Sequence, residues 1–385
     1  MERIYLDNAA TSFPKPKEVA DAVYDYMTNV GVNINRGGYE AAYDLENIVF
    51  ETREMLTDML GGSDCKNVVF TKNVTEALNV VLKGYLKPGD HVLCSSMEHN
   101  AVMRPLVQLQ KEGVEFDRIP GNEYGELDLD SVESMIKPNT RAILMTHASN
   151  LVGTVNPIEE VGAICRKNGI KFIVDSAQTA GVLPIDMKKM NIDALCFTGH
   201  KSLLGPQGIG GFILDEDMIS LVNPIISGGT GSISHTEEIP DFMPDRFEAG
   251  TMNLPGIVGL HAALKWINEK GIESISNHEL MLTERFIRGI QPLEDEKLLR
   301  IIGLKGTEGR TAAVSVQTLS TDCADAAFRL DSEYNIATRV GLHCAPNAHK
   351  TLGTFPVGTV RFSFGAFNTE AEVDAAIRAL CEICR

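Results

Sequence analysis

Five short, largely apolar runs, each ending in polar or reactive residues, constrain this chain more than any other feature. They are Val68–Phe70, His91–Cys94, Arg141–Met145, Phe172–Val174 and Ala194–Phe197. Each reads as a buried strand bounded by turn residues. Between them lie stretches of helical spacing, such as TKNVTEALNVVLKGYL with Leu78, Val81, Leu82 and Tyr85 on its inner side. Strand and helix alternate from about residue 65 to 215. That alternation predicts a mostly parallel sheet with helices on both faces. Open sheets of this kind receive ligands beyond the carboxyl ends of their strands. The chemistry of the chain is therefore expected in the segments that follow the five runs.

Two of those ends carry a specific message. Ala194–Phe197 leads into Thr-Gly-His-Lys, which lodges Lys201 beside the turn Ser-Leu-Leu-Gly-Pro-Gln-Gly. A lysine among small and apolar residues loses proton affinity and can act as an amine nucleophile toward an aldehyde. Taken alone, a lysine after a strand is more often a solvated loop charge. Phe172–Val174 ends in Asp175, 26 residues earlier (201 − 175). An aldehyde-holding lysine and a carboxylate for a ring nitrogen are the two needs of pyridoxal 5'-phosphate (PLP). The spacing fits neighbouring strands joined by one crossover. No GxGxxG or Walker motif is present, so a nucleotide cofactor has no comparable support.

The segments VDSAQ, FTGHKSLLGPQGIGG, RFEAGTMN and RVGLHCAP, with LDNAAT near the start and VRFSFGAFNT near the end, resemble the class V aminotransferase fold. Within it they resemble the cysteine desulfurases, closest to the Suf-type second group. The resemblance covers nearly the whole chain, with several motifs in the right order. It implies an α/β, PLP-dependent transferase fold (type I). A mostly parallel seven-stranded sheet is expected in a large domain, about 16–262. A smaller α+β domain is expected from 263–385 together with the N-terminal segment 1–15.

The resemblance also assigns roles. Thr75 falls in the first turn of its helix, where free N–H groups and the helix dipole favour phosphate. Thr198 and His200 would contact the same phosphate, and Thr251 would reach that of the other subunit in a homodimer. His99 would stack on the PLP ring and pass protons; its local reading is a helix-start histidine. Gln178 would hydrogen-bond the phenolic oxygen, with Asn150 near it and near the substrate. Asn150 reads locally as a cap for the next helix. Arg361 would bind the substrate carboxylate through its planar fork, against the alternative of a structural ion pair. Arg36, in the loop NINRGGY, and Arg339 join it as substrate-binding residues.

Cys344 lies in the loop RVGLHCAPNAHK, with His343 beside it and His349 further on. Positive neighbours favour the thiolate, the attacking form. By the resemblance, Lys201 removes the α proton of L-cysteine, Cys344 takes the sulfur as a persulfide, alanine leaves, and the persulfide passes to an acceptor thiol, with a sulfur-acceptor protein as one candidate partner. Alternatives within PLP chemistry are a lyase acting on L-selenocysteine, a cysteine β-lyase giving pyruvate, and an epimerase. Outside it stands a PLP-binding sensor or scaffold without turnover. Three departures from the second-group pattern bear on acceptor and substrate preference. Asn35 replaces a usual histidine, the lysine loop is one residue longer before Gly-Pro, and the 227–245 segment is shorter.

Bulk properties exclude other classes. At 385 residues the chain is too long for one ordinary core, so two domains are expected. It is 44% hydrophobic and 23% charged, the composition of a soluble globular protein. A net charge of −17 argues against a nucleic-acid partner. No apolar run approaches the roughly 20 residues that cross a bilayer, so no membrane partner is expected. MERIYLDNAAT has no secretory pattern, and a cytoplasmic enzyme is expected. In that setting most of the eight cysteines should be reduced. Cys381 and Cys384 form one CxxC on a helical stretch and read as ordinary helix residues, with no metal implied.

Overall fold

The computed structural model describes residues 3–35, 37–233 and 235–385. The strands are β1 (Ile4–Tyr5), β2 (Val68–Thr71), β3 (His91–Ser95), β4 (Glu115–Ile119), β5 (Thr140–Thr146), β6 (Lys171–Asp175), β7 (Ala194–Thr198), β8 (Gly210–Leu214), β9 (Leu299–Ile302), β10 (Ala313–Thr318), β11 (Ile336–Ala337), β12 (Arg339–Gly341) and β13 (Thr359–Ser363). β2 to β8 form one seven-stranded sheet in the order β2-β8-β7-β6-β5-β3-β4. From β7 to β4 every pairing is parallel. β8 runs antiparallel to both of its neighbours. The five expected strands are all present, and the sheet is mostly parallel as the alternation requires.

The sequence makes this sheet because its strands are apolar on both sides. Phe172 and Val174 enter one apolar cluster and Ile173 the opposite one. Leu195 and Phe197 divide from Ala194 and Cys196 in the same way. A parallel sheet covered on both faces demands this pattern. Helices Val74–Tyr85 and Asn100–Gln110 cover one face with Leu78, Val81 and Leu106. Helices Ile158–Asn168 and Leu254–Lys270 cover the other with Val161, Leu260 and Leu264. Each such leucine or phenylalanine contributes about 1.5–3 kcal/mol by burial. Gly211 permits the central crossing: a Cβ there would lie 2.3 Å from the Val69 carbonyl oxygen.

A second, antiparallel sheet has the order β12-β13-β10-β9. Helices Ile272–Asp295, Cys323–Tyr334 and Glu370–Cys384 pack Phe286, Leu330 and Leu380 against its Val314 and Phe362. β1 pairs in parallel with β11, and Leu6 enters the same core. The N-terminal segment is thus built into this smaller layer. Cys384 is buried in it and Cys381 packs beside it. Among the described residues no cluster of three metal-ligating groups occurs. No described helix is long and apolar enough to cross a membrane.

The first helix is α over Lys17–Asp25 and continues as a π-helix over Tyr26–Val30, closed by Gly31 at φ 56°. The second helix is Glu40–Leu60. The 227–245 segment contains no strand among its described residues.

Candidate active site

Thr75, His99, Asn150, Asp175, Gln178, Thr198, His200 and Lys201 lie at or just after strand ends of the large sheet. Lys201 lies in the turn after β7. Its carbonyl accepts from Ser12 Oγ (2.9 Å) and from the Leu204 N–H (2.8 Å). Leu204 sits at φ 57°, which closes the turn around the lysine. The Lys201 side chain lines a narrow cavity with Asn8, Ser12 and Gln178. Burial lowers its ammonium to about 8; Asp175 opposes this, and Arg361 and Arg339 reinforce it.

Asp175 is the last residue of β6 and is 3% exposed. Its Oδ1 accepts from the Ala177 N–H at 2.9 Å. Burial raises its carboxyl above the usual range, against that hydrogen bond and the charge of Lys201. Two strands further on in the sheet, Glu98 follows β3 and is also buried. Its Oε1 accepts from Ser95 Oγ (2.5 Å) and the Thr146 N–H (2.9 Å), while Oε2 has no partner. Burial pushes this carboxyl up to about 8.

His99 is the helix-start histidine of its local reading. It caps helix Asn100–Gln110, its Nδ1 accepting from the Ala101 N–H at 2.9 Å. The proton of the neutral ring therefore sits on Nε2. Burial, then the cations Lys201, Arg339, Arg361 and Arg104, lower it to about 4. His99 shares one cleft with Thr75 and Cys344. Thr75 is exposed in the first turn of its helix, which Asn73 caps through the Glu76 N–H at 2.9 Å.

Thr198 Oγ1 and His200 Nδ1 are buried without a hydrogen-bond partner. A buried polar atom left unpaired costs about 1–3 kcal/mol, so such atoms point to a bound group. These two stand at the end of β7, beside Lys201. A lysine, a buried carboxylate and two unpaired buried polar atoms fit the groups that PLP requires.

Arg361 lies within β13 and is 2% exposed. Its Nη2 donates to Asp7 Oδ1 and its Nη1 to the Asn150 carbonyl, both at 2.7 Å, leaving Nε unpaired. The structural ion pair weighed as an alternative is therefore present. These bonds use two of the five guanidinium N–H donors, and the Nε–H is among those left for a carboxylate. Arg339 stands opposite Arg361 in the β12–β13 register. It makes no hydrogen bond or ion pair with a described residue. The pair thus carries one uncompensated positive charge. Asn150 spends its amide on the His343 carbonyl (2.9 Å), which ties the arginine to the cysteine loop. Gln178 donates to the Ala9 carbonyl at 3.1 Å.

Cys344 is exposed, in a loop, at φ 57°. The Asn100 N–H donates to its carbonyl at 2.7 Å. The expectation of positive histidine neighbours is corrected. His343 and His349 are buried and stacked, 5.6 Å between centroids. Burial pushes them down to about 2 and about 4, so both are neutral. The physical reason is desolvation, which penalises the imidazolium. Thr251 is exposed in a different cleft, with Lys72 and Glu76. Arg36 lies outside the described residues.

Two residues escaped the sequence reading. Asp7 lay unremarked in LDNAAT, and Glu98 in SSMEHNAV. An acid three residues beyond the end of an apolar strand was the available signal for Glu98; nothing local marks Asp7.

The class-V aminotransferase pattern matches residues 4–376. A probable cysteine desulfurase of Pyrococcus abyssi is 33% identical over 391 residues, covering 100% of this chain and 95% of the relative. A cysteine desulfurase of Haloferax volcanii is 32% identical, covering 98% of this chain and 88% of its own length. The apo cysteine desulfurase of Thermococcus onnurineus NA1 superposes with a TM-score of 0.92 at 33% identity, covering 99% of this chain and 94% of that one.

Proposed function

The chain belongs to the class-V aminotransferase family, and on that premise we propose that it is a PLP-dependent cysteine desulfurase that converts L-cysteine to L-alanine and takes the sulfur on Cys344. The observation that carries the reading is the pairing of two sites. One holds Lys201 and Asp175 at adjacent strand ends; the other places the exposed Cys344 in one cleft with His99.

In this reading Lys201 holds the cofactor aldehyde, Asp175 the ring nitrogen, His99 the ring face and Gln178 the phenolic oxygen. Thr75, Thr198 and His200 hold the phosphate. When bound, PLP supplies an electron sink for the α-carbon of the amino acid. Lys201, with its ammonium lowered to about 8, is suited to take and return the α proton near neutrality. Arg361, through its unpaired Nε, and Arg339 present positive charge to the substrate carboxylate. The Cys344 thiolate would attack the substrate sulfur and keep it as a persulfide for an acceptor, while the substrate Cβ–S bond breaks and its electron pair stays on the carbon fragment that is protonated to alanine. Asn100 and Asn150 hold the backbone of that loop in place. The reading includes a homodimer in which Thr251 reaches the neighbour's phosphate; Ile226, exposed in the cleft of Thr251, supports an interface there.

Product analysis tests the reading. PLP-loaded protein is given L-cysteine and a reductant, beside a Cys344→Ala variant. Equal amounts of alanine and sulfide, lost in the variant, are expected. Pyruvate, ammonia and sulfide surviving in the variant would overturn desulfuration in favour of a β-lyase.

A further inference from the structure

Cys344 opens into a cleft between the starts of helices Val74–Tyr85 and Asn100–Gln110. Thr75 and His99 form the end of it that the cofactor would use. The outer end is made by Asn79, Asn100, Arg104 and Gln108. No acid among the described residues lines this cleft, although the chain carries a net charge of −17. Arg104 is exposed and makes no hydrogen bond or ion pair with a described residue. Its charge reaches the site, because it helps to lower His99. The neighbouring acid on the facing helix, Glu76, is turned away: it accepts from the Lys72 N–H at 2.7 Å and lines the cleft of Thr251 instead. Lys83 donates to Gln108 Oε1 at 2.9 Å and adds a second cation at the rim.

Resting on the desulfurase reading, we propose that this cleft is the docking site of the sulfur acceptor, and that the acceptor is a low-molecular-weight thiol with an anionic group, which Arg104 selects. The step is a thiolate exchange. The acceptor thiolate attacks the outer sulfur of the Cys344 persulfide and forms a new S–S bond. The bond to Cys344 Sγ breaks, and its electron pair leaves on the Cys344 thiolate. No net oxidation occurs and no further reactant is needed. An exposed arginine attracts an anion by local Coulomb energy, which acts on encounter and orientation and is screened by salt.

The test uses PLP-loaded enzyme whose Cys344 has been converted to the persulfide with polysulfide. Transfer is followed by mass spectrometry of the Cys344 peptide. The probes are 2-mercaptoethanesulfonate and 2-mercaptoethanol, compared at equal thiolate concentration. The expected result is transfer about fivefold faster to the sulfonate, erased by Arg104→Gln, reversed by Arg104→Glu and weakened by salt. An unchanged ratio in Arg104→Gln would overturn the proposal. An equal slowing toward both thiols would also overturn it, since Arg104 would then act through the fold. Loading is chemical, so this comparison does not depend on cysteine turnover. Absence of alanine production would count against the desulfurase reading, and an unchanged thiol ratio against the docking site.

Discussion

Asp7 and Arg361 form an ion pair of 2.7 Å between residues 354 positions apart in the chain. The pair joins the N-terminal segment to β13 beneath the site. Removing one partner of a buried pair leaves an uncompensated charge and costs about 3–5 kcal/mol. Asp7→Asn is expected to destabilise the cofactor-free protein by an amount of that order in denaturant unfolding. A variant as stable as the parent would mean that the Asn150 carbonyl alone compensates the guanidinium.

Lys201 is expected to be indispensable to both cofactor attachment and proton transfer. Lys201→Ala should lower turnover of L-cysteine by about 10²–10⁴-fold, the usual contribution of a positioned base. Borohydride should fix PLP covalently to the parent protein at Lys201 and leave the variant unmodified. A reduced adduct on any other lysine, read by peptide mass, would remove Lys201 from its assigned place.

Glu98 carries a stability signature. Its folded carboxyl is raised to about 8 from an ordinary 4.5. The folded state therefore binds the proton more tightly than the unfolded chain. Its contribution is full below the ordinary value and is lost as pH rises through about 8. Glu98→Gln keeps an oxygen for the Thr146 N–H and removes the titration. Thermal unfolding of the cofactor-free protein should then decline less from acid to alkaline pH than in the parent. Parallel curves would place the titration elsewhere.

The neutral stack of His343 and His349 gives a prediction for Cys344. His349→Phe preserves the stack and loses the contact of Nδ1 with Thr354 Oγ1 (2.6 Å). Because His349 carries no charge near neutral pH, the rate of Cys344 alkylation there should not change. A markedly slower reaction would return the histidine to an electrostatic role.

The large sheet was legible because period and burial coincide: Phe172–Val174 and Ala194–Phe197 are apolar on both faces, and only a doubly covered strand uses such a run. Lys201 and Asp175 were legible for a related reason, since each follows a strand and the sheet fixes where strand ends point. Cys344 was legible only through the motif around it. The sequence alone thus determined the sheet, the strand-end placement of Lys201 and Asp175, and the family pattern. Tertiary structure decided the electrostatics. It gave Arg361 the distant Asp7, left Arg339 without a hydrogen bond or ion pair to any described residue, and buried His343 and His349 so that neither is charged. Those outcomes depend on desolvation and on contacts between residues far apart in the chain, and no local pattern of residue types encodes either one.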